Sequence, residues 1–255
     1  MKLATWNVNS IRARTDAVLG WIARAEPDVL CMQETKVVDD DFPTDELLRL
    51  GYVVAMAGQK TYNGVAIVSR LPMTDVVIGL HDEPDPIEKR VLRATIDGVR
   101  VYSVYVPNGK SLSSPSFPQK LRFFSRLKET LEADTLPGGL AVVCGDFNVA
   151  PDERDVFDVA AMQGQTHFSE PEHQALADLK SYGLEDVYRL HHQEPKQFTW
   201  WDYRAGCFER DMGMRIDLVL ATAGMAERCT AAEIDVGPRR GDKPSDHTPV
   251  VATFR

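Results

Sequence analysis

Ten short segments of the 255-residue chain are rich in β-branched and other apolar residues and are bounded by turn-forming residues. They are KLATWNV, DVLCMQE, YVVAMAG, GVAIVSR, TDVVIGL, RVLRATID, VRVYSVYVP, LAVVCGD, RIDLVLAT and HTPVVATF. This pattern predicts β-strands. Several of the segments are too uniformly apolar to face water on one side, so we expect sheets that are covered on both faces. Asp97 and Gly98, between two of the segments, predict a β-hairpin.

Helical patterns lie between these strands. Apolar residues recur at three- and four-residue steps over 117–131, and nearly the same pattern runs over 11–22. Ser169 and Glu172 form a predicted capping box before a further helix, and Thr44 is the predicted N-cap of a short one. Hairpins with interspersed helices predict an α+β fold, a layered α/β sandwich in which two mixed β-sheets pack together with helices on the outer faces.

The chain shows no internal repeat and no linker rich in Gly, Ser and Pro, which predicts a single domain over residues 1–255. Its apolar runs are far shorter than the ~20 residues that span a bilayer, and no basic-then-apolar signal opens the sequence. The four cysteines are widely spaced and form no paired metal pattern. We therefore expect reduced thiols, no membrane partner and a cytoplasmic protein.

The net charge of −9 argues mildly against a nucleic-acid partner, because such proteins usually carry a basic surface. Charges are screened within roughly 8 Å at physiological salt, so a local group of Lys and Arg matters more than the total. Basic residues do gather in IRARTD, LRFFSRLK and PRRGDK. Composition therefore does not decide between DNA and other partners.

Polar side chains stand at the ends of most of the predicted strands. They are Asn7, Asn9, Glu34, Tyr105, Asn108, Asp146, Asn148, Asp217, Asp246 and His247. A single Asp or Asn at a strand end is more often a turn or cap residue than a ligand. In a sandwich with antiparallel neighbours, however, the end of one strand and the start of the next lie on the same rim. The coincidence of so many cases predicts one polar cleft.

The residue types in this set suit a particular chemistry. Carboxylate and amide oxygens without paired His or Cys favour a hard cation such as Mg²⁺. His247 can donate a hydrogen bond to a phosphoryl oxygen while Asp217 orients it, and Asp146 can hold a water as general base. The set predicts metal-assisted hydrolysis of a phosphodiester.

The segments WNVNSIRAR, QETK, YVPNG, GDFN, RIDLVL and KPSDHTPVVATF, in this order, closely resemble the exonuclease III family of apurinic/apyrimidinic endonucleases, bacterial type. The resemblance runs from Met1 to Arg255. It implies a four-layer α/β sandwich and Mg²⁺- or Mn²⁺-dependent cleavage 5′ to abasic sites in double-stranded DNA. It also implies 3′-phosphodiesterase activity on blocked 3′ ends, 3′→5′ exonuclease activity, a monomer and a DNA-repair role in the bacterial cytoplasm, at the nucleoid.

By this resemblance, Glu34 is the main metal carboxylate. The other residues that it assigns to the metal environment are Asn7, Asn9 and Asp246. The residues that it assigns to catalysis are Asp146, His247, Tyr105, Asn148 and Asp217. Asn9 stands where some relatives carry Asp, so one anionic ligand is absent at this position.

A further set is expected to contact DNA. Its members are Asn108, Trp200, Arg204, Phe208, Leu218 and Lys36. Trp200, Phe208 and Leu218 resemble the aromatic and apolar residues that line the pocket for a flipped abasic sugar or wedge into the duplex. Trp201 is predicted to pack in the core instead. Arg204 is expected in a groove, and Lys36, Arg12 and the basic segment 238–243 at backbone phosphates.

Two other functions stay open from the sequence. A related phosphodiesterase that acts on nucleotides, phospholipid or inositol headgroups would use the same polar set. Nicking of abasic DNA, compared with hydrolysis of soluble phosphate esters, distinguishes the two. A DNA-binding module that lacks catalysis is disfavoured, because the residues needed for turnover are all present.

Overall fold

The computed structural model describes residues 1–83, 87–135 and 138–255. Its strands are β1 (Lys2–Asn7), β2 (Val29–Gln33), β3 (Val53–Ala57), β4 (Val65–Ser69), β5 (Met73–Ile78), β6 (Val91–Ile96), β7 (Val99–Tyr105), β8 (Ala141–Asp146), β9 (Leu184–Asp186), β10 (Trp200–Trp201), β11 (Gly213–Met214), β12 (Asp217–Thr222), β13 (Cys229–Ile234) and β14 (Val250–Phe254). Its α-helices are α1 (Ile11–Ala25), α2 (Thr44–Arg49), α3 (Ser116–Asp134), α4 (Val159–Met162), α5 (Glu170–Lys180), α6 (Val187–His191) and α7 (Ala223–Ala226).

The strands form two six-stranded mixed sheets. The first sheet has the order β13-β14-β1-β2-β4-β3, and the second has the order β5-β6-β7-β8-β12-β9. Each sheet contains one parallel pair, β1 with β2 and β7 with β8, and its other neighbours are antiparallel. The short strands β10 and β11 form a separate hairpin.

Three apolar clusters define the layers. One cluster joins the inner faces of the two sheets, for example Val29 and Ile67 with Val101 and Val142. A second packs α1 and α2 against the outer face of the first sheet, and a third packs α3 and α5 against the outer face of the second. The order helix, sheet, sheet, helix confirms the predicted four-layer α/β sandwich. Among the described residues, no helix is long and apolar enough to cross a membrane.

All ten predicted strands are present, and Asp97 with Gly98 turns β6 into β7 with both residues at positive φ. Four strands were not predicted from the sequence: β9, β10, β11 and β13. Three of these are only two or three residues long, and β13 is a partly exposed edge strand without a continuous apolar run. The prediction for Thr44 was wrong in detail, because this residue is the first of α2 and Pro43 holds the cap position without a side-chain hydrogen bond.

The register brings the polar strand ends to one rim. The last residue of β8, Asp146, pairs with Asp217 at the start of the antiparallel β12 and with Tyr105 at the end of the parallel β7. In the first sheet, Asn7 and Gln33 end the parallel pair β1 and β2 side by side, so that Glu34 follows at the same edge.

Gly145 is required for this rim. Its φ is +149°, and a Cβ at this position would lie 1.9 Å from the carbonyl oxygen of Val104. We expect Gly145→Ala to lower the free energy of unfolding by about 2–4 kcal/mol, because the clash is with backbone in the neighbouring strand. Gly20→Ala is the matched control, since Gly20 lies within α1 and a Cβ there has no atom within 4 Å. That change should stabilise the protein by about 0.5–1 kcal/mol. Equal denaturation midpoints for the two variants would contradict this account.

Candidate active site

Asn7 links the two sheets at the centre of the rim. Its Nδ2 donates to Glu34 Oε1 at 2.8 Å and to Asp146 Oδ2 at 2.9 Å, and its Oδ1 accepts from the backbone of Asn9. Glu34 lies in a left-handed turn (φ 51°) immediately after β2. Glu34 comes from the first sheet and Asp146 from the second, and the amide of Asn7 donates to both carboxylates.

His247 and Asp217 form a buried pair beside Asp146. The Nδ1 of His247 lies 2.8 Å from Asp217 Oδ2, and its Nε2 lies 3.7 Å from Asp146 Oδ2. Burial alone would lower the pKa of His247, but the carboxylates of Asp217 and Asp146 raise it to about 10. The imidazole is therefore charged near neutral pH, and both of its nitrogens carry protons. Nδ1 donates to Asp217, whereas the N–H of Nε2 is left for another acceptor.

Asp146 is almost completely buried, with 1% of its surface exposed. Its Oδ1 accepts from the backbone N–H of Asn148 at 2.9 Å, and its Oδ2 accepts from Asn148 Nδ2 at 3.3 Å. Burial raises the pKa of Asp146 to about 7, in spite of the opposing charge on His247. A carboxylate with this pKa can take up a proton near neutral pH, as a general base requires.

The adjoining part of the rim is lined by Tyr105, Asn108 and Asn148. Burial, together with the carboxylates of Glu34 and Asp146, raises the pKa of Tyr105 above its ordinary value, so its hydroxyl is a hydrogen-bond donor. Asn148 Nδ2 donates to the carbonyl of Val106, and Asn108 Nδ2 lies 3.2 Å from Asn148 Oδ1.

His167, which was not predicted from the sequence, contacts both Asn108 and Asn148. Burial and the charge of Lys120 lower the pKa of His167 to about 4, so the ring is neutral at pH 7. Its Nδ1 lies 2.6 Å from the carbonyl oxygen of Asn148 and must carry the proton. Its Nε2 is then left to accept from Asn108 Nδ2 at 3.3 Å. No signal in the surrounding sequence marked this residue, because it lies in a loop far from any predicted strand end.

A buried ion pair supports the same asparagines and was also missed. Lys120 Nζ donates to the backbone carbonyls of Asn148 at 2.6 Å and Asn108 at 3.2 Å, and it pairs with Glu172. Both members of this pair are completely buried. A signal was available for Lys120, since it occupies a position of the apolar stripe of α3, three residues after Phe117.

Asn9, Asp246 and Lys36 form a second group at the rim. Asp246 accepts from Asn9 Nδ2 at 2.8 Å and from Trp200 Nε1 at 3.0 Å. Lys36 Nζ lies 2.8 Å from Glu34 Oε2 and also donates to Asn9 Oδ1. Asp246 is thus occupied by neutral donors, whereas Glu34 already holds a cationic partner.

The donor set fits a hard divalent cation. Glu34, Asp146 and His247 each offer one atom within 4.8 Å of the others. His247 is bound to Asp217 and charged, which leaves no ring nitrogen for a metal, so the two carboxylates are the donors that remain. Oxygen ligands of this kind are those that Mg²⁺ prefers. Asn7 presents its N–H groups to them, which makes it a positioning residue in this arrangement.

Binding of a divalent ion should depend on pH. Asp146, with a pKa near 7, is protonated below that value in the metal-free protein and must lose its proton to bind a cation. We expect the apparent Mn²⁺ affinity to be roughly thirtyfold lower at pH 5.5 than at pH 8. Free Mn²⁺ followed by electron paramagnetic resonance measures this without substrate. In Asp146→Asn the Mn²⁺ affinity should change much less with pH. An equally steep pH dependence in that variant would show that another group loses the proton when the ion binds.

Among the residues expected to contact DNA, the prediction for Leu218 is contradicted. Leu218 lies in β12 with none of its surface exposed, and it packs among core residues between the second sheet and its helices. Alternation along the strand turns it away from the rim, because Asp217 points there. Trp201 is buried, as predicted. Arg204 is highly exposed and pairs with Asp202 on the surface.

Residues 202–212, which connect β10 to β11, form what we call the aromatic loop. Tyr203 is half exposed, and Phe208 is half-buried with its ring centroid 5.1 Å from that of Trp201. The guanidinium of Arg14 donates to the hydroxyl of Tyr203 and to the carbonyl of Pro244, which fixes this loop beside the rim. Trp200 is half-buried in β10, two residues before the loop, and donates from Nε1 to Asp246.

Comparisons with known proteins agree with this geometry. A model described as the endonuclease/exonuclease/phosphatase family matches residues 4–247. Exodeoxyribonuclease III of Haemophilus influenzae is 32% identical over the full length of both chains. The structure of an AP endonuclease from Archaeoglobus fulgidus is 42% identical, with a TM-score of 0.96 over 100% of this chain and 99% of its own. A 3′ phosphatase from Neisseria, NExo, solved with a product DNA hairpin, is 41% identical, with the same TM-score and coverage.

The chain therefore belongs to the endonuclease/exonuclease/phosphatase family. Two of these full-length relatives are named as nucleases, an exodeoxyribonuclease and an AP endonuclease, and the chain is a phosphodiester hydrolase of this family.

Proposed function

We propose that this protein is a DNA-repair endonuclease that hydrolyses the phosphodiester 5′ to an abasic site in double-stranded DNA, with Mg²⁺ or Mn²⁺ as its cofactor. The observation that carries the proposal is the pair of carboxylates, Glu34 and Asp146, held by Asn7 next to a charged His247. We further propose that it acts as a monomeric, single-domain protein in the bacterial cytoplasm.

Each residue of the rim has a separate role in the proposed hydrolysis. Asp146 takes a proton from the attacking water, and Asn148, bound to the same carboxylate, holds that water and the phosphate in line. His247, oriented by Asp217, donates from Nε2 to a phosphoryl oxygen and stabilises the charge that develops there. Tyr105 and Asn108 donate to the phosphate from the other side. Glu34 and Asp146 would hold the cation, which would supply further positive charge for the phosphoryl and leaving oxygens.

Recognition of the abasic site is proposed for the side of the rim that carries Trp200. An abasic sugar leaves a gap in the base stack and can be extruded at low cost. Trp200 is held by its hydrogen bond to Asp246, and the aromatic loop begins two residues later. A half-buried indole in this position offers a rigid apolar wall to a sugar that carries no base.

A nicking assay on one labelled duplex tests the proposal. The duplex carries a single tetrahydrofuran abasic analogue, and the same sequence without the lesion is the matched substrate. We expect Mg²⁺-dependent incision on the 5′ side of the analogue, no incision of the undamaged duplex and no reaction in excess EDTA. Hydrolysis of soluble inositol or nucleotide phosphate esters without incision of the duplex would favour the related phosphodiesterases instead.

A second candidate function is processing of damaged 3′ ends, by 3′-phosphodiesterase or 3′→5′ exonuclease activity. It is supported by the 41% identity to a protein named a 3′ phosphatase. The same in-line chemistry would act on a terminal phosphoryl group. A duplex with a recessed 3′-phosphate, assayed beside the abasic duplex, ranks the two activities. Release of inorganic phosphate without incision would make end processing the main function.

A further inference from the structure

Five arginines are buried among the described residues, and four of them form an ion pair with a carboxylate. Arg93 and Arg100 pair with Asp134, and Arg189 and Arg215 pair with Asp155. The fifth is Arg239, which has 8% of its surface exposed. No carboxylate among the described residues lies within ion-pair distance of it.

Two aromatic rings enclose the Arg239 side chain. The guanidinium carbon lies 4.8 Å from the ring centroid of Phe208 and 5.3 Å from that of Tyr203, both in the aromatic loop. Nε is buried without a hydrogen-bond partner. The ring faces attract the cation and hold it in one place, but they accept no N–H hydrogen bond of ordinary strength.

Three acidic side chains of the aromatic loop and the rim are committed elsewhere. Asp202 pairs with Arg204, Asp211 accepts from Trp201, and Asp246 accepts from Asn9 and Trp200. A buried guanidinium without an anion is costly to the folded protein. An anion supplied from outside would pair with its terminal Nη–H groups, since guanidinium is well suited to phosphate oxygens.

Arg239 also lies close to the polar rim. The ring of Tyr203, which it contacts, carries the hydroxyl that lies 3.4 Å from Asn9 Nδ2, and Asn9 in turn binds Asp246. One side chain thus separates Arg239 from the candidate site.

We propose that the caged guanidinium of Arg239 is a preformed subsite for a non-scissile backbone phosphate of duplex DNA. The subsite rests on the proposed function, because it presupposes a DNA substrate. It holds the duplex against the aromatic loop, so that Trp200 and Phe208 face the lesion. The rings of Tyr203 and Phe208 form a cage that holds the Arg239 guanidinium in place, whereas Arg240 and Lys243 are exposed.

The test is DNA binding in EDTA, where no turnover occurs. Fluorescence anisotropy gives the affinity for the abasic duplex over a range of salt concentrations for wild type, Arg239→Met and Arg240→Met. Met fills the space between the two rings and replaces the guanidinium–aromatic contacts by sulfur–aromatic ones, while it removes the charge. We expect Arg239→Met to weaken binding by about tenfold and to reduce the slope of log K against log salt by about 0.9. Arg240→Met, an exposed neighbour, should change the slope by less than half as much.

A methylphosphonate scan locates the phosphate. Neutralising the phosphate that Arg239 contacts should weaken binding by wild type and leave binding by Arg239→Met nearly unchanged. Arg239→Lys keeps the charge and should retain most of the slope, which separates the charge from the packing of the loop. The proposal is overturned if Arg239→Met, with a native unfolding midpoint, keeps the wild-type slope, or if every methylphosphonate penalty is equal in the two proteins. Failure of wild type to nick the abasic duplex would instead count against the proposed function.

Discussion

Asp146→Asn is expected to lower the single-turnover rate of abasic-site incision by about 10²–10⁴-fold while the protein stays folded. The amide keeps the shape of the side chain and its contact with the backbone N–H of Asn148, but it cannot take a proton from water. It also removes one of the two carboxylates available to a cation. The fold should tolerate the change, because burial already disfavours the charged form of this side chain.

The measurement is a rapid-quench time course with enzyme in excess over a labelled abasic duplex. Asp97→Asn is the matched control, since Asp97 lies in the β6–β7 turn at the opposite end of β7 from Tyr105. Its rate should equal that of wild type. If Asp146→Asn kept more than a tenth of the wild-type rate with saturating Mg²⁺, another group would have to activate the water.

Asp155→Ala is expected to have the largest effect on stability, about 3–5 kcal/mol. Asp155 is completely buried and is the counter-charge for two arginines: it pairs with Arg215 Nε at 2.6 Å and with Arg189. Asp186 would remain as a partner for Arg215, but Arg189 would have no ion-pair partner among the described residues. A buried guanidinium without a carboxylate or a bound anion destabilises the folded state.

Urea denaturation at pH 7 measures this loss. Asp41→Ala provides the comparison, because Asp41 forms an exposed ion pair with Arg12 in which both side chains are at least half exposed. That pair should contribute less than about 1 kcal/mol. Similar losses in the two variants would show that burial does not set the strength of these ion pairs.

The sequence predicted the parts of the fold and of the site that depend on local patterns. Continuous apolar runs identified the central strands, and the polar residues that end them identified the rim, because strand register leaves little choice about which ends meet. Asp146 and Asp217 are 71 positions apart in the chain but are register partners in adjacent strands. A constellation of strand ends is therefore visible in a single sequence when several strands share it.

The parts of the site that were not predicted depend on tertiary contacts, which local sequence patterns do not indicate. His167 reaches Asn108 and Asn148 from a loop, and its importance follows only from where that loop lies. Leu218 was assigned to the pocket from its resemblance in position to residues of the family, but successive side chains of a strand face opposite ways, and Asp217 is the one that faces the rim. The sequence likewise does not show that Arg239 is buried without a carboxylate partner, since the basic segment around it resembles an ordinary solvent-exposed segment.

The central proposal is that Glu34 and Asp146, brought together from two sheets, hold a divalent ion beside His247. Anomalous diffraction from crystals soaked in Mn²⁺ tests it most directly. The account predicts a strong anomalous peak between the carboxylates of Glu34 and Asp146 that disappears in Asp146→Asn crystals. A peak elsewhere on the protein, with none between these two side chains, would contradict it.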